Sequence, residues 1–209
     1  MSGFPKSLSR QLQKRWSLAH EDGIDRAAKI IAIDESIRNK YEHTVAPIVI
    51  DMAGFTARAR EFGILHYLAM VEMMRTTLQP IVESSHGTVV KTEADNLFAH
   101  FPSPAKALHA LGHVNKATRK LNQSVDDSHR IDLSVGVGYG PTLLTQADMW
   151  GSDFNMACKL GEDLAQTGEI LFSENAWKQL RAKRKIFEER SFVVAGHPVN
   201  AYSLQLGGL

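Results

Sequence analysis

The sequence predicts an α+β fold: a ferredoxin-like, split βαββαβ core with an extra C-terminal αβ extension, its helices covering a mainly antiparallel sheet. Three observations predict it. The compact apolar run VAPIVID, 45–51, passes through a small-residue turn into a long helical pattern. The stretch VVKTEADNLFAHF, 89–101, reads as a hairpin, with apolar residues on both sides of a charged turn. The amphipathic pattern SPAKALHALGHVNKATRKLNQ, 103–123, then leads into the alternating stretch RIDLSVGVGYGPTLLTQ, 130–146.

Residues 1–44 read as an N-terminal helical arm, and 45–209 as the main domain. In the arm, Phe4, Leu8, Leu12 and Trp16 recur every four residues, and Lys6, Arg10, Lys14 and Arg15 precede the first acid, Glu21. A basic amphipathic helix can lie on an anionic membrane surface. Packing on its own domain or on a regulatory partner is the preferred reading, because amphipathic helices mostly face a core. Ile30, Ile33, Ile37 and Tyr41 mark a second helix. After the first strand, Leu65, Leu68, Val71, Met74 and Leu78 carry a helical stripe that SSHG stops. Ser103 and Pro104 suit a helix start. Gly138 and Gly140 mark a bend. GSDFNMACKLGEDLAQTG, 151–168, is a third helix stopped by Gly168. EILFS is a short strand, ENAWKQLRAK a short helix, and FEERSFVVAGHPVNAYSLQL a closing pair of strands.

Of the 209 residues, 44% are hydrophobic and 22% charged, the balance of a soluble globular protein with one core. A formal net charge of +1 points away from nucleic acid. A single cysteine, Cys158, excludes a disulfide within the chain and suits a reducing compartment. No apolar run approaches bilayer length, so a cytoplasmic location is expected. His66, His109 and His113 read as surface or core-edge residues. KQLRAKRK, with five basic residues in eight, reads as a solvated face.

Two acids stand out. Asp51 closes the first strand, and AGFT follows it. Ala53 and Gly54 allow close backbone approach, and a helix starting near Phe55 would aim free N–H groups at the same place. A carboxylate beside such an anion site makes sense if a divalent cation bridges carboxylate and phosphate. The alternative is a plain N-cap aspartate. Asp95 alone is turn chemistry. In a split βαβ core, however, the first strand lies beside the hairpin. Asp51 and Asp95 would then converge on one cation site.

At this point the residues resemble the class III nucleotidyl cyclases, which make cyclic AMP or cyclic GMP from the triphosphate. IVIDMAGFT is similar to that family's first strand and turn, VVKTEADNLFAHF to its hairpin, and DMWGSDFNMACKL to its motif D-x-W-G-x-x-V-N-x-A-x-R. The resemblance covers about Val45 to Leu206. It implies that Asp51, Asp95 and the Met52 carbonyl hold two divalent cations, Mg²⁺ or Mn²⁺. It implies that Gly54, Phe55 and Thr56 receive the triphosphate, and that Lys91 and Asp148 read the adenine edge of ATP. Asn155 would orient the ribose, and Lys159 stands where the family has an arginine at the α-phosphate. It also implies a homodimer through the cyclase domain, with each site shared between two copies. The expected activity is conversion of ATP to 3′,5′-cyclic AMP and pyrophosphate.

Four departures motivate an alternative, a catalytically weak or inactive cyclase-fold domain that binds nucleotide or regulates a partner. Lys159 keeps the charge of the family arginine but not its planar fork. Ala94 replaces a glycine, and strains the turn if that position needs positive φ. Glu93 replaces an apolar residue. Ala195 and His197 occupy the neighbourhood that often supplies a phosphate-binding lysine.

Overall fold

The computed structural model describes residues 4–20, 25–180, 186–194 and 196–209, and the backbone alone at 55–57. Two N-terminal helices, α1 (Lys6–Ser17) and α2 (Arg26–Tyr41), lead into β1 (Glu42–Met52). Helices α3 (Phe55–Phe62) and α4 (Ile64–Ser84) follow, then the hairpin β2 (Thr88–Glu93) and β3 (Asn96–Phe101). Next come α5 (Pro104–Asn122), β4 (Leu133–Val137), β5 (Gly140–Leu144) and β6 (Met149–Trp150). Helix α6 (Ser152–Cys158) runs on into a π-turn at Lys159–Leu164. The chain closes with β7 (Glu169–Ser173), α7 (Glu174–Lys178), β8 (Glu188–Val194) and β9 (His197–Gln205).

The strand order is β2-β3-β1-β4-β7-β9-β8, with β5 paired to β1 and β6. β3 and β4 both flank β1 antiparallel, and the β4–β7 pair is parallel. This is the expected split βαββαβ core with its C-terminal extension. Ser103 caps α5 by accepting from the Lys106 N–H at 3.4 Å, with proline at the first helical position.

Alternation along β1 sorts its side chains between two layers. Ile48 and Ile50 point into the main core with Leu97, Ala99, Val135 and Val137, beneath α4 and α5. Val49 points the other way, into a second cluster with Phe98, Met149, Phe154 and Ala157. Helices α4 and α5 therefore cover one face of the sheet. Helix α6 covers the opposite face. It lies close because β4 has no side chain at Gly136, where a Cβ would run into the Ala157 carbonyl and the Gly161 amide. Gly138 and Gly140 serve the same approach, since a Cβ at either would meet Asp153.

Three local expectations need correction. The buried face of α4 is Tyr67, Met70, Met74, Leu78 and Val82, whereas Leu65 and Leu68 are 79% and 51% exposed. Both stripes have helical spacing, and docking on the sheet chooses between them; a break at Gly63 (φ 87°) separates α4 from α3. The helix from 152 ends in a π-turn, with Ala165 N–H donating to the Leu160 carbonyl at 2.8 Å. Gly168 (φ 79°) instead shapes the turn before β7. In the arm, Leu8 is buried and Leu12 packs against it, on Ile33, Ile37 and Tyr41 of α2, while Phe4 and Trp16 stay exposed. The arm thus packs on its own chain, and the Phe4 ring lies 5.0 Å from that of Trp150. Among the described residues no helix is long and apolar enough to cross a membrane. The basic stretch 181–185 and Ala195 lie outside the described residues.

Candidate active site

Strand register assembles the first group of polar residues. Opposed residues on antiparallel strands share a face. Glu93 on β2 opposes Asn96 on β3, Asn96 opposes Asp51 on β1, and Asp51 opposes Ser134 on β4. This polar row lies at the sheet end, on the α6 side. The next row inward is Lys91, Phe98, Val49 and Gly136, on which α6 rests.

Asp51 and Asp95 converge as the split core requires. The Met52 N–H donates to the Asp95 carbonyl at 3.3 Å, tying the end of β1 to the hairpin turn. Ser134 donates its hydroxyl to Asp51 Oδ2 at 3.2 Å. Burial, and then the charge of Asp95, push the Asp51 carboxyl up to about 6. Asp95 is 8% exposed. Burial raises its pKa, against lowering hydrogen bonds from its own backbone and from Tyr67. Burial and the Asp95 charge push the Tyr67 phenol up to about 12. Helix α3 is capped by Gly54 (φ 81°), so Asp51 is not a helix N-cap.

Ala94 occupies φ 51°, in the left-handed region that an alanine enters at a cost of roughly 1 kcal/mol. Ala94→Gly is therefore expected to raise stability by several tenths of a kcal/mol, net of glycine's greater chain entropy. Urea unfolding checks this through an upward shift of the midpoint at unchanged slope.

Among the described residues the charges acting on Asp51 are uncompensated. Asp95 and Glu162 both raise its pKa, and its hydrogen-bond partners are neutral. The side-chain oxygen of Asn96, opposite Asp51, is buried with no hydrogen-bond partner among the described residues. Hard oxygen donors with surplus negative charge fit a divalent cation. Among the described residues no three His, Cys, Asp or Glu side chains gather round one point. A cation here would thus take its remaining ligands from carbonyls such as that of Met52, from water and from a substrate's phosphates. Gly54 stands exposed just before α3, and a Cβ there would meet open space. The side chains of Phe55 and Thr56 lie outside the described ones.

A second group forms around Lys91. Its Nζ lies 3.1 Å from Asp148 Oδ1, 3.1 Å from Glu93 Oε2 and 5.0 Å from the Phe98 ring centre. Burial lowers the Lys91 pKa, but the Asp148 and Glu93 contacts outweigh it, so the net shift is upward. Asp148 is rigidly held. Its carboxylate accepts from Met149 N–H at 2.8 Å, and its own N–H donates to Thr145 Oγ1 at 3.1 Å.

The third group, Asn155 on α6 and Lys159 at the start of the π-turn that continues it, stands one turn apart. Asn155 is exposed, and Lys159 pairs with Asp163 at 2.8 Å. Among the described residues no hydrogen bond or ion pair joins this group to the other two. Neighbouring Cys158 is half-buried, and burial pushes its thiol up to about 12.

Sequence reasoning missed Ser134, Asn96, Tyr67 and Glu162. The first two were findable, since they oppose Asp51 once β1 is set between β3 and β4. Glu162 needed the π-turn, which turns it toward the charges of Asp95, Glu93 and Lys91. The H-x-x-x-H spacing of His109 and His113 was also passed over; their rings pack 4.7 Å apart on the exposed side of α5.

A family model described as the adenylate and guanylate cyclase catalytic domain matches residues 37–205. The chain belongs to that family. A Rhizobium meliloti (strain 1021) protein named "Putative adenylate cyclase 3" is 26% identical over 164 residues, covering 78% of this chain and 26% of that protein. The serine/threonine-protein kinase pkn2 of Myxococcus xanthus is 25% identical over 127 residues, 61% of this chain and 15% of the kinase. The chain thus spans about a quarter or less of these relatives. Among solved structures, the guanylyl cyclase Cya2 superposes with a TM-score of 0.69 at 15% identity, covering 78% of this chain and 91% of that one. An adenylate/guanylate cyclase/hydrolase from Silicibacter pomeroyi gives 0.68 at 22% identity, covering 78% and 97%. These likenesses show the fold.

Proposed function

We propose that this chain is an adenylate cyclase, converting ATP to 3′,5′-cyclic AMP and pyrophosphate. The observation that carries the reading is one sheet face that holds, in adjacent rows, the uncompensated Asp51–Asp95 pair and the Lys91–Asp148 pair. Asp51, Asp95 and the Met52 carbonyl would hold two divalent cations, Mg²⁺ or Mn²⁺. Held there, they would supply Lewis-acid chemistry that lowers the pKa of the ribose 3′-hydroxyl and neutralises the triphosphate. Asp148 accepts from the adenine amine and Lys91 donates to the ring nitrogen beside it. Asn155 orients the ribose so that its 3′-oxygen lines up with the α-phosphorus. The 3′-oxygen–phosphorus bond forms as the bond to pyrophosphate breaks, and the hydroxyl proton leaves to solvent. Lys159 stabilises charge at the α-phosphate, and the start of α3, from Gly54 through Phe55 and Thr56, receives phosphate oxygens.

Asn155 and Lys159 stand apart from the other groups within one chain. The reading assigns the metal carboxylates Asp51 and Asp95 of each site to one copy, and the base readers Lys91 and Asp148 together with Asn155 and Lys159 to the other, in a homodimer with two equivalent sites. Residues 1–44 form the arm through which a regulator would act, on a domain of residues 45–209 in the cytoplasm. The test is purified protein with ATP and Mn²⁺ at high protein concentration. Cyclic AMP and pyrophosphate in equal amounts are expected; bound metal–ATP without cyclic AMP would sink the enzyme reading.

The Lys159–Asp163 ion pair favours a second reading, a weak or inactive cyclase domain that binds nucleotide or regulates. An ammonium engaged on its own helix offers less to a phosphate than a planar guanidinium. Lys159→Arg is accordingly expected to raise kcat about tenfold with little change in KM. A variant no faster than the parent would mean that another group stabilises the α-phosphate.

A further inference from the structure

Glu93 is the departure from the family pattern that the reaction above leaves unused. It sits two residues from Lys91 on β2, on the same face, and its carboxylate is 3.1 Å from the Lys91 ammonium. Asp148 holds the same ammonium at 3.1 Å. Lys91 therefore stands between two carboxylates. Both Asp148 oxygens reach the ammonium, at 3.1 and 3.2 Å, so a ligand nitrogen gains one of its three N–H donors by replacing one of those two contacts. Asp148 is fixed by its turn, whereas the Glu93 side chain is 70% exposed and keeps its second oxygen available.

A base edge meeting this set faces an acceptor, a donor and an acceptor in sequence. Adenine satisfies the first two: its amine meets Asp148 and its N1 meets Lys91. The next atom along the edge is C2, which in adenine carries only hydrogen. Guanine carries an amine there, but its O6 would face the Asp148 carboxylate and its N1–H the ammonium, two mismatches. The full complement is donor, acceptor, donor, the edge of 2,6-diaminopurine.

Resting on the ATP-binding reading, we propose that Glu93 is a third base-edge residue, a specificity-determining acceptor facing purine position 2. It holds the Lys91 ammonium pointed at N1 and accepts from any 2-amino group. A charge-assisted hydrogen bond made by a largely exposed carboxylate is modest, so the expected gain is about five- to tenfold in affinity.

The experiment compares dissociation constants of the full chain, with Mn²⁺, for the non-cleavable α,β-methylene triphosphates of adenosine, 2,6-diaminopurine riboside and guanosine. The diaminopurine form is expected to bind about five- to tenfold tighter than the adenosine form, and the guanosine form weakest. In Glu93→Ile the diaminopurine advantage should vanish. In Glu93→Gln, which keeps a side-chain oxygen, part of it should return. A merely structural Glu93 would change all three affinities together. Diaminopurine binding no tighter than adenosine in the wild type, or an advantage that survives Glu93→Ile, overturns the assignment and leaves the cyclase reading standing. Binding of none of the three overturns both.

Discussion

Asp51→Asn is expected to lower cyclase turnover by at least about 10³-fold while making the metal-free protein more stable above pH 6. Both effects have one cause. Asp51 is half-buried beside Asp95, and the charges acting on it among the described residues are negative, which raises its carboxyl to about 6 from an unperturbed value of 3.8. A carboxyl whose folded-state pKa is raised contributes stability below its unfolded pKa and loses it as pH rises through the folded one. Metal-free wild type should therefore lose melting temperature between about pH 4 and pH 6, and the asparagine variant should lose less. Asp95, also raised, adds to the wild-type slope in the same direction. A cation that binds the folded state alone stabilises it by mass action. Mn²⁺ should thus raise the wild-type melting temperature at pH 7.5 and leave Asp51→Asn nearly unmoved. Thermal melts with EDTA and with Mn²⁺, across this pH range, check each part. Retained activity in the variant would refute the cation assignment.

Lys91→Glu is the second large effect. The proposed base edge needs one donor between acceptors, and Lys91 supplies it. Glutamate there leaves adenine N1 without a partner and sets a third carboxylate beside Glu93 and Asp148. A site that hydrogen-bonds its substrate discriminates strongly when the complement is broken. The ratio of kcat/KM for ATP over GTP is expected to fall about 10²-fold, measured with both nucleotides side by side. An unchanged ratio would remove Lys91 from base recognition.

Much of this site was legible because short-range patterns encode it. The compact apolar run 45–51 placed Asp51 at the end of β1, and the split βαβ core placed the charged turn of Asp95 next to it. The strain at Ala94 was foreseeable only through the family resemblance, which puts a glycine before Asp95, and the structure gives Ala94 φ 51°. What stayed hidden depends on long-range packing. Leu65 and Leu68 fit a helical stripe as well as Tyr67 and Met70 do, and only docking on the sheet chooses between them. The placement of α6 on the second face follows from Gly136, whose missing side chain means nothing until β4 lies beside β1. Glu93 read as an added charge near the cation site. The structure turns it toward Lys91 instead, a matter of side-chain direction that spacing does not reveal.

The central claim is that one active site is built from two copies, with Asp51 from one and Asn155 from the other. Mixing tests it most directly. Asp51→Asn and Asn155→Ala are each expected to be nearly inactive alone. Combined in equal amounts and allowed to exchange subunits, half the dimers carry both variants, and each of these holds one intact site. Activity should return to about a quarter of the wild-type value per protomer. A mixture no more active than either variant alone, with subunit exchange demonstrated and the wild type active, would contradict the shared site.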